Sequence, residues 1–438
     1  MVALFSPAAL VRQMLAFEAA LARAQARAGV IPVHAADAIA DACRLELFDV
    51  AALYRDAVTA GTLAIPLVRA LGERAGSDAI AYVHWAATSQ DVIDSALMLQ
   101  MRDGLDALVC DLRGVAAECA RLADAHRVTV MPGRTLLQQA TPITFGLKAA
   151  RWLALAVRQA RAVHACRTSG LALQFGGASG TLAALGDHGL PVAHFLAEEL
   201  QLPLPDLPWH AERDRIGVMA ATLGVVAGGM AKIATDIVLL GQSEVGEVAE
   251  SAVPGKGISS AMPQKRNPVD ATSALAAARL CTGQVFVVLT AMAQEHERAV
   301  GGWQAEWVAI PALFGFAAGA VSHVAGAIGG LQVNPERMRA NLALGGGMIM
   351  AESLTMSLAT TLGRPDALTL VQHVVSGARE SGRSLHDQAC EDPSVRAVLT
   401  VEAIDRALDP SAYLGSSEPF IDRALASFRA LEQELGPR

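Results

Sequence analysis

The sequence predicts an all-α fold: three helical domains, with long helices bundled in the central one. Three observations carry this prediction. Hydrophobic residues fill 53 % of the 438 positions but aromatics only 4 %, so Ala, Leu, Val and Gly must build the core. Ala and Leu are strong helix formers. Helix-start signals recur, each a Ser, Thr or Asn directly before a Pro. Stretches with the two-residue period of a strand are few and short.

Taken in order, Ser6-Pro7 opens a helix over "AALVRQMLAFEAALARAQARAG". Val11, Met14, Leu15 and Leu21 fall on one face of it, and Gly29 and Pro32 mark its end. Long helical patterns follow over about 91–125, 213–247 and 270–293. Thr141-Pro142 opens "ITFGLKAARWLALAVRQARAV", Asn267-Pro268 opens "VDATSALAAARL", and Asn334-Pro335 opens "ERMRANLALGGG". "LALQFGG" at Leu171 is the best place for a small hairpin or loop. The domains expected are 1–95, 96–345 and 346–438, the last following the Gly345–Gly347 run.

Composition narrows the function. The net charge of −8 leaves no basic footprint for nucleic acid. Cys43, Cys110, Cys119, Cys166, Cys281 and Cys390 include no C-x-x-C pair, and no His–Cys cluster has metal-ligand spacing, so reduced cysteines and no metal are expected. The N-terminus lacks a basic region before a long apolar run and makes a poor signal peptide, which makes the cytoplasm the expected location. Residues 307–334 carry no formal charge and are long enough to span a bilayer. They are also rich in Ala and Gly, hold a Pro, a Ser and a His, and lack flanking basic clusters. A helix buried on all sides of a bundle has the same look, and no membrane partner is expected.

Three stretches carry chemistry. "PGKGISSAMPQKRNPVD", Pro254 to Asp270, interrupts helical sequence with two Gly, a Ser pair and three cations. Gly255 and Gly257 allow unusual backbone angles. Ser259 and Ser260 supply hydroxyls, and Lys256, Lys265 and Arg266 supply charge. Asn267-Pro268 starts a helix whose free N–H groups favour an anion. "YVHWAATSQDVIDSA" places His84 before Thr88 and Ser89, with Asp91 and Asp94 at helical spacing. A well-capped helix would explain it equally, and His84 serves either a structural or a functional role. "MPGRTLLQQATPITFGLK" offers Arg134, Thr135, Gln138 and Gln139, donors that suit a carboxylate, or else an ordinary loop.

In this order and spacing the three stretches resemble the conserved regions of the fumarase/aspartase superfamily. The pattern S-S-x-M-P-x-K-x-N-P at Ser259 to Pro268 is specific to it, and "TSQD" at Thr88 and "GRT" at Gly133 match the other two regions. Within the superfamily the chain is most similar to the bacterial 3-carboxy-cis,cis-muconate cycloisomerases, through "GRTLLQQATPITFGLK", "LALQFGGASGTLAALG", "PWHAERDRI", "AQEHERAVGGWQAEW" and "LDPSAYLG". Adenylosuccinate lyases are the nearer alternative among C–N lyases.

The resemblance implies a cofactor-free enzyme whose Ser-bearing loop closes over the substrate. It makes Ser259 the acid/base at the carbon next to a carboxylate, with Ser260 beside it. It places Lys265 and Asn267 at substrate carboxylates, and it draws His84, Thr88, Ser89, Arg134, Thr135 and Gln139 toward the same ligand. His296 and Arg298 are further candidates, or a charged helix end. The implied partner is a small tricarboxylate, and the implied assembly is a homotetramer with each site shared by three subunits.

Two residues depart from the family pattern. Leu136 stands where many members carry a His that assists the leaving group. Gln139 cannot replace it, since an amide does not titrate. A carboxylate, whose acid has a pKa of about 4, needs no such help, so the loss fits cyclisation better than amine expulsion. Ile258 stands where a Gly usually precedes the Ser pair, and its branched side chain restricts the loop.

Overall fold

A computed structural model describes residues 1–251 and 253–436. These form seventeen α-helices, several short 3-10 turns and two small antiparallel strand pairs, as the all-α expectation requires. Helices α1 (Pro7–Arg27), α2 (Val33–Ala42), α3 (Val50–Ala60) and α4 (Ala64–Ala75) precede the long α5 (Ser89–Ala125). A hairpin of β1 (Val130–Thr135) and β2 (Gln138–Thr144) leads into α6 (Phe145–Ala165), then α7 (Gly189–Leu200) and α8 (Asp214–Leu240). Next come β3 (Val248–Ala249), α9 (Val269–Thr290), α10 (Gly302–Ile328), β4 (Gln332–Val333) and α11 (Pro335–Ala343). The remaining helices are α12 (Ala351–Leu362), α13 (Arg364–Ser381), α14 (Leu385–Glu391), α15 (Pro393–Arg396), α16 (Val401–Leu408) and α17 (Ser417–Leu435).

The chain divides into two compact units. The first is Met1–Asp111, Gln159–Gly228 and Ala276–Val321; the second is Leu112–Arg158, Gly229–Leu275 and Ser322–Arg438. Of the expected domain boundaries, residue 95 falls inside α5 and residue 345 falls in the turn after α11.

In the first unit, α1 starts as expected. The Ser6 hydroxyl accepts the Ala9 N–H at 3.2 Å, and Pro7 is the first helical residue. Val11, Met14, Leu15 and Leu21 are all buried, and α1 packs on α2 and α7. Burying each such side chain contributes about 1.5–3 kcal/mol. Helix α5 opens with a capping box in which the Asp91 carboxylate, three residues in, accepts the Thr88 N–H at 3.0 Å. "LALQFGG" joins neither strand pair and enters a turn at Gly177, where φ is +68°.

The second unit corrects one helix start. Thr141-Pro142 lies in β2, where Pro142 faces Pro132 next to a bulge. Two residues without N–H groups face each other there, so no ladder bond is lost. The helix begins at Phe145 instead, with the Thr144 hydroxyl accepting the Leu147 N–H at 3.0 Å. Asn334 caps α11 as predicted, accepting the Arg337 N–H at 3.0 Å. Helix α8 stops at Leu240, short of the predicted 247, and frees Glu247 for a role described below. A hydrophobic cluster including Leu354, Leu358, Val371, Val374, Leu385, Val395 and Ile404 unites α12 to α16.

Helices α8, α9 and α10 are each long and apolar enough to cross a membrane, judged by length and composition. Helix α9 is the least buried of them along its apolar window.

Candidate active site

The Ser-pair loop belongs to the second unit and is pinched at a neck. Gly257 O accepts the Asn267 N–H at 2.8 Å and the Asn267 side-chain amide at 3.3 Å. Gly257 has φ +67°, and a Cβ there would stand 2.5 Å from Asn267 O, so only glycine closes the neck. Beyond it, Ile258 and Arg266 form an isolated bridge. At the tip the Ser259 hydroxyl oxygen accepts N–H groups from Ala261 at 3.3 Å and Met262 at 3.0 Å. Donors converging on that oxygen favour its ionised form. Ser260, Lys265 and Arg266 are exposed, and no hydrogen bond ties the Lys265 ammonium to another described residue.

Two sequence readings change at the base of this loop. The start of α9 is not vacant: the buried Glu250 carboxylate accepts N–H groups from Asp270 at 3.2 Å and Ala271 at 2.8 Å. The helix-end charge that seemed available to a ligand is satisfied from within the chain. Lys256 is also committed, paired with Asp270 and lying 3.5 Å from Glu250. It anchors the loop rather than adding free positive charge.

Arg134 sits on the hairpin of the same unit. Its guanidinium forks onto Glu247, Nη1 at 2.8 Å and Nη2 at 2.7 Å from the two carboxylate oxygens. Glu247 is wholly buried and also receives the Asn341 amide at 2.7 Å. The Gln139 amide donates to Asn341 O at 2.9 Å, so Arg134 and Gln139 share one network. Arg134, expected at a substrate carboxylate, here forks onto Glu247, and that pair holds the hairpin. Thr135 is exposed beside the two-residue turn. The turn residues Leu136 and Leu137 have φ of +50° and +63°, the left-handed pattern of a tight hairpin, and are 97 % and 73 % exposed. Lys148, on α6, escaped the sequence reading; burial pushes its ammonium pKa down.

The first unit holds the other candidates. His84 Nδ1 lies 2.5 Å from a Glu18 oxygen, and His84 has φ +57°. Burial opposes its protonation, but Glu18 and Asp91 together outweigh burial and the net shift is upward. Thr88 and Ser89 stand at the start of α5. Below them the buried Asp91 also accepts Gly176 N–H and Gly177 N–H, each at 3.0 Å, and lies 2.8 Å from His210 Nε2. Arg298 Nη2 reaches the same glycine loop from its carbonyl side, donating to Gly177 O at 3.0 Å and Ala178 O at 3.1 Å. Arg298 therefore ties its own segment to the glycine loop through Nη2. His296 is exposed, with φ +49°.

The segment "PWHAERDRI" is a tie-point of this unit. Arg213 is fully buried and binds Asp94 at 2.7 Å and Glu306, and Trp303 Nε1 donates to Asp94 at 2.9 Å. Composition and spacing did not reveal Glu18, Glu247 or Glu306. A Glu within a helical pattern looks like surface until its partner is known. No group of three or more His, Cys, Asp or Glu able to hold a metal occurs among the described residues.

Residues 1–286 match the family model described as "Lyase", and residues 347–424 match "Adenylosuccinate lyase C-terminus". The chain belongs to this lyase family, of the fumarase/aspartase superfamily. A 3-carboxy-cis,cis-muconate cycloisomerase of Pseudomonas aeruginosa is 48 % identical, across 99 % of this chain and 95 % of that protein. One of Bradyrhizobium diazoefficiens is 47 % identical, across 95 % and 93 %. The crystal structure of the 3-carboxy-cis,cis-muconate lactonizing enzyme from Pseudomonas putida superposes with a TM-score of 0.93 at 44 % identity, covering 98 % of this chain and 96 % of that one. In this lyase, Leu136 at the hairpin tip leaves the "GRT" region without a titratable acid.

Proposed function

We propose that this lyase cyclises 3-carboxy-cis,cis-muconate to 4-carboxymuconolactone, a step in the breakdown of protocatechuate. The observation that carries the reading is the pairing of an intact Ser259 loop with Leu136. The chain keeps a group that moves a proton at carbon and lacks one that protonates a departing amine.

In the forward reaction a substrate carboxylate, already ionised, adds to a carbon of the diene. The electron pair moves toward the neighbouring carboxylate, giving a dianionic intermediate. Ser259 delivers a proton to the carbon next to that carboxylate, which completes the lactone. One proton is consumed per turnover, because one carboxylate charge disappears into the ester. The N–H groups of Ala261 and Met262 stabilise the Ser259 oxyanion left behind, and the uncommitted Lys265 ammonium offsets charge on the intermediate. Asn267 contributes by closing the loop's neck, and Ser260, Thr88, Ser89, Thr135, Gln139 and His296 fill the remaining polar positions around the trianion. No cofactor takes part in this scheme.

We also infer a homotetramer in which three subunits contribute to each site. Support comes from the two exposed leucines of the hairpin tip and from α9, whose Leu280, Phe286 and Leu289 are 52 %, 69 % and 45 % exposed. An apolar face of this kind marks an interaction site. Subunit contact fits these helices better than a bilayer does, since α8 carries Lys232 paired with Asp236, and α10 carries Glu306. A cytoplasmic location and the absence of nucleic-acid partners belong to the same reading.

The test is an ultraviolet assay of diene loss with 3-carboxymuconate, run beside adenylosuccinate and other muconates, with proton uptake followed by an indicator dye. Diene loss matched by one proton per turnover supports the reading. Turnover of adenylosuccinate alone would overturn it.

A further inference from the structure

We propose that Glu18 is a positioning residue for this site: it fixes His84 through Nδ1 so that the Nε2–H of the imidazolium meets a substrate carboxylate. The proposal rests on reading His84 as a substrate contact. Glu18 lies on α1, far from all three signature stretches in sequence, and only its partner makes it visible.

The chemistry follows from the tautomer. A carboxylate only accepts, so the Nδ1 that faces Glu18 Oε1 at 2.5 Å carries a proton in either charge state. In the neutral ring Nε2 is then a bare lone pair and repels an anion. In the charged ring it is an N–H donor. No hydrogen bond occupies Nε2 among the described residues. His84 thus switches from donor to acceptor on losing one proton, and only the cation binds a carboxylate.

The surroundings favour the cation. Glu18 is 1 % exposed, and its second oxygen is buried without a hydrogen-bond partner. A buried carboxylate left so poorly satisfied demands a nearby positive charge. The charged group acting on His84 besides Glu18 is Asp91 from α5, which also favours its protonation, and the neighbour that senses the Glu18 charge is Cys43. Cys43 adds no charge: burial first, then Glu18, pushes its thiol up to about 12. Asp91 is already held by three N–H groups and His210.

The backbone is fixed from the same helix face. Gln25, two turns after Glu18 on α1, donates to Trp85 O at 2.7 Å. Between them these two side chains secure a turn in which His84 and Ala86 have φ of +57° and +59°. Left-handed non-glycine residues persist where the surroundings over-determine them, often at ligand sites.

The test is Glu18→Gln, which keeps the shape and removes the charge, with His84 titrated in the intact protein by histidine hydrogen–deuterium exchange mass spectrometry. The expected result is a fall of about one unit or more in the His84 midpoint. KM for 3-carboxymuconate rises about tenfold near neutral pH with kcat altered much less, as loss of a binding contact requires. In a His84→Ala background the same substitution changes KM less than about twofold, since the partner is gone. Glu18→Asp restores part of the midpoint. An unchanged midpoint, or a KM penalty that persists without His84, would overturn the proposal. If Glu18→Gln does not fold, a wild-type midpoint at or below the ordinary histidine value overturns it, and an elevated midpoint that Glu18→Asp lowers supports it. Failure of the functional reading is seen separately, as absent 3-carboxymuconate turnover by the wild type.

Discussion

Glu247 and Arg134 are joined fork to carboxylate at 2.7 and 2.8 Å, with the glutamate wholly buried. The residue whose chemistry best suits a substrate carboxylate is thus matched to a carboxylate of its own chain. The pair locks the hairpin to the segment after α8, and Asn341 extends the lock to α11 and Gln139. Arg134 shapes the site by holding the hairpin and its tip in place.

Breaking this pair should cost more than deleting it. Arg134→Met leaves an uncompensated buried carboxylate and should destabilise the protein by about 3–5 kcal/mol. The double variant Arg134→Met with Glu247→Leu should recover much of that loss. Urea denaturation of the two single variants and the double gives the coupling. A double variant as unstable as the sum of the singles would show that the pair is not coupled.

Ser259→Ala should fold and assemble normally while losing about 10²–10⁴-fold in kcat, the range for a positioned proton-transfer group. Ser260→Ala should lose much less, because Ser259 is the residue whose oxygen receives the two N–H groups. Diene loss read at saturating substrate separates the two. Equal losses would move the proton transfer away from Ser259.

The hairpin tip stores strain. Leu136→Asn with Leu137→Gly relieves two left-handed branched residues and should raise stability by about 1 kcal/mol or more. Activity should fall if the tip enters a neighbouring subunit's site, and light scattering would register any loss of assembly. Leu136→His should not speed lactonisation strongly. A large gain would refute the argument that a carboxylate needs no acid.

Stability should depend on pH through His84 and Glu18. The folded pKa of His84 is raised above its ordinary value of 6.5: burial opposes the charge, and Glu18 with Asp91 overcomes it. The pair's stabilisation is therefore fully present below about 6.5 and fades as pH rises through the raised value. The difference in melting temperature between wild type and Glu18→Gln should be largest near pH 6 and shrink toward pH 9. A difference independent of pH would mean that the histidine is not charged in the fold.

Local signals in the chain were read correctly where they act over a few residues. Ser6 and Asn334 cap the helices they were expected to cap, and the apolar face of α1 is buried as its spacing demands. The β1–β2 hairpin was not legible, because a tight turn normally announces itself with Asn-Gly and here uses Leu136-Leu137. For the same reason Thr141-Pro142 looked like a helix start. A Thr-Pro step suits either context until its strand partner is known.

Linear sequence was enough to establish the helical class, the long helices and the Ser259 loop, since propensity, periodicity and motif spacing are properties of neighbours along the chain. Folding in three dimensions settled which charges are spoken for. Arg134 and Glu247, Arg298 and the glycine loop, and His84 and Glu18 meet across large separations in sequence. A charge's role depends on whether a partner reaches it and whether water does, and both are consequences of packing.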